Sequence, residues 1–211
     1  MDIVLLLFDR ITALDAVGPY EVLARLPGAR VRFVAAAVGP VRTDDRFLAL
    51  CADESLDQVT HADVLVVPGG LGTRALERDA RVLDWVRALH ETTTWTTSVC
   101  TGALVLGAAG LLRGLEATTH WAMLDRLADH GALPVHRRVV EQGKIMTAAG
   151  VSAGIDMALR LAANIGGAEL AQAIQLGIEY DPEPPYDAGS VDKAPPAIVA
   201  KVRAALAART R

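Results

Sequence analysis

The sequence predicts an α/β fold in which a doubly wound, mostly parallel sheet is covered by helices on both faces. Two observations carry this. Short apolar runs of strand length alternate with helical stretches along the chain. Three of those runs lead directly into loops bearing an acid, a glycine pair or a cysteine, which is where an open parallel sheet places its ligands. With 211 residues, of which 52% are hydrophobic, the chain can bury one sizeable core or at most two small ones.

Each element has its own signal. Ile3 to Phe8 (IVLLLF) is an apolar run ended by Asp9 and Arg10, too short for a signal peptide core or a membrane span, and reads as a buried strand. A helical stretch at 15–26, strands at 31–37 and 64–67, a helix at 79–90 and a strand at 94–99 follow. The Gly/Ala-rich run from Val99 to Leu112 is stopped by Arg113 short of the roughly 18–20 residues a spanning helix needs, so a core helix is expected from 101. A helical pattern covers 121–129. Pro134 to Ala148 reads as strands turning at Gly143-Lys144, followed by helices at 151–165 and 168–178. YDPEPPYD (Tyr180 to Asp187) has too many prolines to continue a helix, so an extended arm over 179–196 precedes a final helix from Pro196 to Ala208. A single domain over 1–211 accounts for all of it.

Charge and cysteine content exclude several functions. Lys+Arg 21 against Asp+Glu 25 gives a net charge of -4, so no general basic field attracts nucleic acid or an anionic membrane. Cys51 and Cys100 form no CxxC, which argues against a disulfide scaffold or zinc finger and fits a reducing cytosol. His61, His90, His130 and His136 show no ligand spacing, so no metal is expected. PGGLGT (Pro68 to Thr73) lacks the P-loop lysine and the full dinucleotide spacing.

The remaining signals converge on three loops. Asp15 enters a helix after the first strand, Pro68-Gly69-Gly70 follows VLVV, and Cys100-Thr101-Gly102 follows TWTTSV. A strand running into a cysteine and then a Gly/Ala-rich helix is the layout of a nucleophile elbow, where the helix N-terminus favours the thiolate. The N–H groups of Thr101 and Gly70 are then candidates to hold charge developing on a substrate. Asp15 facing the sulfur would have its pKa raised by desolvation and like charge, making it a proton donor at neutral pH. Each residue also has a plainer reading: Cys100 as a buried core thiol, Asp15 as a helix cap, Glu21 as an exposed helix residue rather than one ordering the loop. His120, in ATTHW, is a base for Cys100 or a helix cap. Cys51, in FLALC, has no helix start or basic neighbour and reads as core packing.

VVPGG, SVCTGALVLGAAGLL and ATTHW resemble the DJ-1/PfpI superfamily of class-I amidotransferase-like proteins nearly end to end. Within it, LDAVGPYEVL, the CTGAL elbow and the tail QLGIEYDPEPPYDAGS are most similar to the isonitrile hydratase branch. The resemblance implies a homodimeric, cytoplasmic, flavodoxin-like protein that needs no cofactor and hydrates an isonitrile to an N-substituted formamide. It implies Cys100 as nucleophile, Asp15 as acid and base, and Thr101 as its helper, with Trp121 and Met146 as pocket walls or ordinary core. Thr101 departs from the CAG of many DJ-1-like proteins, and Asp15 stands where they carry Glu. The alternatives are a glyoxalase- or amidase-type relative, or a cysteine redox sensor. Similar domains are fused to helix-turn-helix regions in transcription factors; one short terminal helix is not expected to read DNA.

Overall fold

The computed structural model describes residues 1–209 and divides into two compact units, 1–178 and the segment from Glu179 onward. The first unit begins β1 (Asp2–Leu6), α1 (Ala13–Leu23), β2 (Arg30–Ala35), β3 (Gly39–Arg42), β4 (Ala49–Ala52) and β5 (Glu54–Ser55). It continues with β6 (Val64–Val67), α2 (Thr73–Leu76), α3 (Ala80–Thr92), β7 (Trp95–Val99) and α4 (Gly102–Ala108). Then come β8 (Glu116–Ala117), a 3₁₀ helix (Trp121–His130), β9 (Leu133–Pro134), β10 (Val139–Gln142), β11 (Ile145–Ala148), α5 (Ala153–Gly166) and α6 (Ala168–Gly177).

Seven strands form the main sheet in the order β10-β11-β7-β6-β1-β2-β5, parallel throughout except for the β10–β11 hairpin. The two central strands are continuous apolar runs because both of their faces are covered: Ile3 to Leu6 and Val64 to Val67 are all buried. From β1 the chain crosses through α1 to β2, and from β6 it crosses through α3 to β7 in the opposite direction. Right-handed crossovers therefore put α1 and α3 on opposite faces, with the strand order reversing between β1 and β6. Consistently, α1 packs on α5 and α5 on α6, whereas α2, α3 and α4 pack on one another.

The α1–α5 contact is unusually close, and it bears on the site. A Cβ on Gly18 would stand 3.1 Å from Ile155, and one on Gly154 would stand 3.1 Å from Val99 and 3.2 Å from Pro19. Pro19 lies inside α1 four residues after Asp15, where its missing N–H leaves the Asp15 carbonyl without its intrahelical donor.

Three features depart from the sequence reading. The β3–β4 hairpin, a two-stranded sheet of its own, was not anticipated, because its short strands are only partly buried and give no continuous apolar run. Cys51 sits in this hairpin opposite Pro40 and is exposed, which corrects the core assignment. The helical pattern at 121–129 folds as a 3₁₀ helix, a distinction that amphipathic spacing alone does not make. In the second unit, residues up to Pro195 carry no helix or strand, Lys193 pairs with Asp187 at 2.7 Å, and α7 (Pro196–Ala208) starts with proline in its first turn. Among the described residues no helix is long and apolar enough to cross a membrane.

Candidate active site

Asp15, Gly69 and Cys100 meet at the carboxyl ends of the strands, where the strand order reverses between β1 and β6. Asp15 lies in the first turn of α1 and is fully buried. Its Oδ2 accepts the Gly69 N–H at 2.9 Å, while Oδ1 is buried with no hydrogen-bond partner among the described residues. Burial pushes its carboxyl up to about 7; the Gly69 N–H and the Cys100 side chain partly oppose this, and the charge of Asp44 adds to it. An acid held near neutrality can both give and take a proton at physiological pH.

Cys100 follows β7 directly and takes a left-handed backbone, φ 55, which a residue with a Cβ adopts at a cost. That conformation is tied down on both sides. The Cys100 N–H donates to the Ala148 and Ala149 carbonyls at 3.1 and 2.9 Å, and the Thr119 hydroxyl donates to the Cys100 carbonyl at 2.6 Å. The sulfur is buried, within hydrogen-bond reach of Asp15, and receives the backbone N–H groups of Val151 and Thr101. Burial, then the Asp15 charge, pushes the thiol well above its ordinary range, while the two N–H groups pull it down. The helix start does favour the thiolate through the Thr101 N–H, but desolvation outweighs it and the thiol is not acidified. Thiol and carboxyl are coupled, and protonating Asp15 relieves the repulsion that opposes a thiolate.

The glycine loop and the elbow are stitched together. The Gly70 N–H donates to the Thr101 hydroxyl at 2.9 Å, and that hydroxyl reaches back to the Gly70 carbonyl at 3.2 Å. Gly70 and Thr101 therefore meet as expected from the loops, but the Gly70 N–H is engaged by a side chain and the Thr101 N–H faces the sulfur itself. Gly69 is the closer glycine. A Cβ there would stand 2.6 Å from the Thr101 nitrogen and 2.8 Å from both Asp15 Oδ2 and Cys100 Cβ.

The supporting residues separate. His120 caps the 3₁₀ helix, its Nδ1 accepting the Ala122 N–H at 3.2 Å, and burial pulls its pKa down. It also packs on Gly150, whose Cβ would stand 2.8 Å from its ring, so it lies one residue from the N–H that faces the sulfur. Trp121 rests against the His120 ring at 5.6 Å between centroids. Glu21 is exposed and pairs with Arg25 at 2.8 Å, a surface contact on α1. Met146 is fully buried in β11. Sequence reasoning missed Thr119, Val151 and Asp44, since a threonine, a valine and a hairpin acid carry no motif. Val151 is an unusual donor, a β-branched residue at φ 38.

Comparison with known proteins bears directly on this geometry. Residues 1–164 match the DJ-1/PfpI family. The chain is 47% identical over 198 residues to the isonitrile hydratase of Pseudomonas putida, covering 94% of this chain and 86% of that protein. It is 30% identical over 170 residues to the HTH-type transcriptional regulator CdhR of Pseudomonas aeruginosa, covering 69% of this chain and 50% of the regulator. A crystal structure of a THiJ/PfpI family protein from Pseudomonas syringae superposes with TM-score 0.95 at 38% identity, covering 99% of this chain and 87% of that one.

Proposed function

The chain belongs to the DJ-1/PfpI family, and from that premise we propose that it is an isonitrile hydratase converting R–NC and water to an N-substituted formamide. The observation that carries the reading is the buried Asp15–Cys100 pair, an acid raised to about 7 beside a thiol that can pass it a proton. The identity shared with the Pseudomonas putida hydratase supports the same reaction class.

The chemistry follows from the residue types. An isonitrile carbon is a soft electrophile and matches sulfur better than a serine oxygen. The Cys100 sulfur bonds to that carbon while the thiol proton, relayed by Asp15, ends on the same carbon, giving a thioimidate R–N=CH–S–Cys. Asp15 then takes a proton from water as its oxygen adds to the carbon and the nitrogen is protonated. Cleavage of the C–S bond releases R–NH–CHO and returns the thiol. Atoms balance with water alone. In this scheme the Val151 and Thr101 N–H groups stabilise the departing thiolate, and the Thr101 hydroxyl holds Gly70 and its neighbour Gly69 in place.

The test is product identity, because aldehyde- or amide-directed relatives would use the same elbow. Purified protein incubated with cyclohexyl isocyanide should release N-cyclohexylformamide, and Cys100→Ala should remain folded by circular dichroism with no turnover. Formamide production by the alanine variant would remove cysteine from the reaction. No formamide from any of a panel of aliphatic and aromatic isonitriles would overturn the assignment.

A further inference from the structure

The turn between β3 and β4 sends one side chain back onto the α1 entry and the glycine loop. Asp44 Oδ2 accepts the Thr12 hydroxyl at 2.6 Å, and its Oδ1 accepts the Leu71 N–H at 2.9 Å. Its own N–H donates to the Ile11 carbonyl at 3.0 Å. Thr12 is the N-cap residue of α1, three positions before Asp15, and Leu71 lies two positions after Gly69, the residue that donates to Asp15. One carboxyl group thus joins the two loops that together define where Asp15 sits.

The bonding also fixes its orientation. Both oxygens accept, each from a different donor, so the side chain is held at two points. Its charged surroundings are the exposed loops around it. On its own turn lie Asp45 and Arg46, and Arg46 pairs with Asp9 of the β1–α1 loop at 3.1 Å. Arg10 lies in that same loop. The glycine loop from Pro68 to Gly72 brings no charged side chain. Asp15 itself faces Cys100 and feels the charge of Asp44.

We propose that Asp44 is a positioning residue for Asp15, its carboxylate tying the α1 entry to the glycine loop and disfavouring a second negative charge beside it. The inference rests on the hydratase reading for its consequence, which is that Asp44 makes Asp15 a stronger base toward the thiol proton it relays. Burial is the larger reason that Asp15 is raised, with Asp44 adding to it, so neutralising Asp44 should have a definite but partial effect.

The experiment follows the Asp15 carboxyl directly, by carbon NMR of protein labelled at aspartate, with Asp15→Asn to assign the signal. Asp44→Asn and Asp44→Ser both remove the charge while keeping a hydrogen-bonding group, and Asp44→Glu keeps the charge. The neutral variants should lower the Asp15 midpoint by about 0.3 to 1 pH unit, a two- to ten-fold change in its protonated-to-ionised ratio, and Asp44→Glu should restore it. The acid limb of kcat/KM for cyclohexyl isocyanide, set by ionisation of the Asp15 that accepts the thiol proton, should move down with it in the neutral variants. An Asp15 midpoint unchanged in either neutral variant that folds would overturn the proposal, with formamide production still supporting the hydratase. A lowered midpoint in a protein that makes no formamide would overturn the hydratase reading and leave the coupling intact.

Discussion

At Asp15 the polypeptide holds a carboxyl where water cannot reach it, and the consequences reach stability as well as chemistry. The folded state keeps a proton up to about pH 7 that the unfolded chain, with the ordinary carboxyl value of 3.8, releases earlier. The sign follows from linkage: between those values the folded state binds more protons, so Asp15 makes stability fall as pH rises, levelling off above about 7. The size is on the order of 4 kcal/mol. Asp15→Asn removes this dependence, so urea midpoints measured from about pH 4 to about pH 8 should show the variant gaining on wild type as pH increases. Its turnover should fall by about 100-fold or more, the usual contribution of a positioned acid and base. Parallel stability curves for the two proteins would mean that burial does not raise Asp15.

Among the elements, the contact between the glycine loop and the elbow tolerates least change. A methyl group on Gly69 would meet the Thr101 nitrogen, Cys100 Cβ and the hydrogen-bonded Asp15 Oδ2 together, none of which is free to move aside. Gly69→Ala should therefore cost about 1–3 kcal/mol in stability and nearly all activity. Gly177→Ala in α6, where an added Cβ has nothing within 4 Å, should shift stability by less than about 1 kcal/mol and leave turnover unchanged. Equal effects of the two substitutions on formamide production would mean that the loop is not part of the site. The elbow itself was legible because its signals are local: an apolar strand, then Cys100, then small residues. The β3–β4 hairpin was not, and with it went Cys51 and Asp44. Strands of four residues with a partly buried pattern look like loop until a partner strand pairs with them.

For the first unit as a whole, sequence alternation predicted a parallel sheet without saying where the strand order reverses. That reversal between β1 and β6 explains why residues as far apart as Asp15, Gly69 and Cys100 come together, and it depends on tertiary pairing rather than on propensity. The same distinction separates the acids: Asp15 was found from its loop position, whereas Asp44 acquires meaning only once the hairpin folds back onto that loop. Likewise the thiol was expected to be acidified by its helix, and the extent of burial around it could not be read from its neighbours in sequence. The central claim is that Cys100 bonds to an isonitrile carbon, and acid quenching during turnover of cyclohexyl isocyanide followed by peptide mass spectrometry examines that bond. The account predicts the mass of one isonitrile on the peptide containing Cys100; formamide accumulating with that peptide unmodified and Cys100→Ala as active as wild type would contradict it.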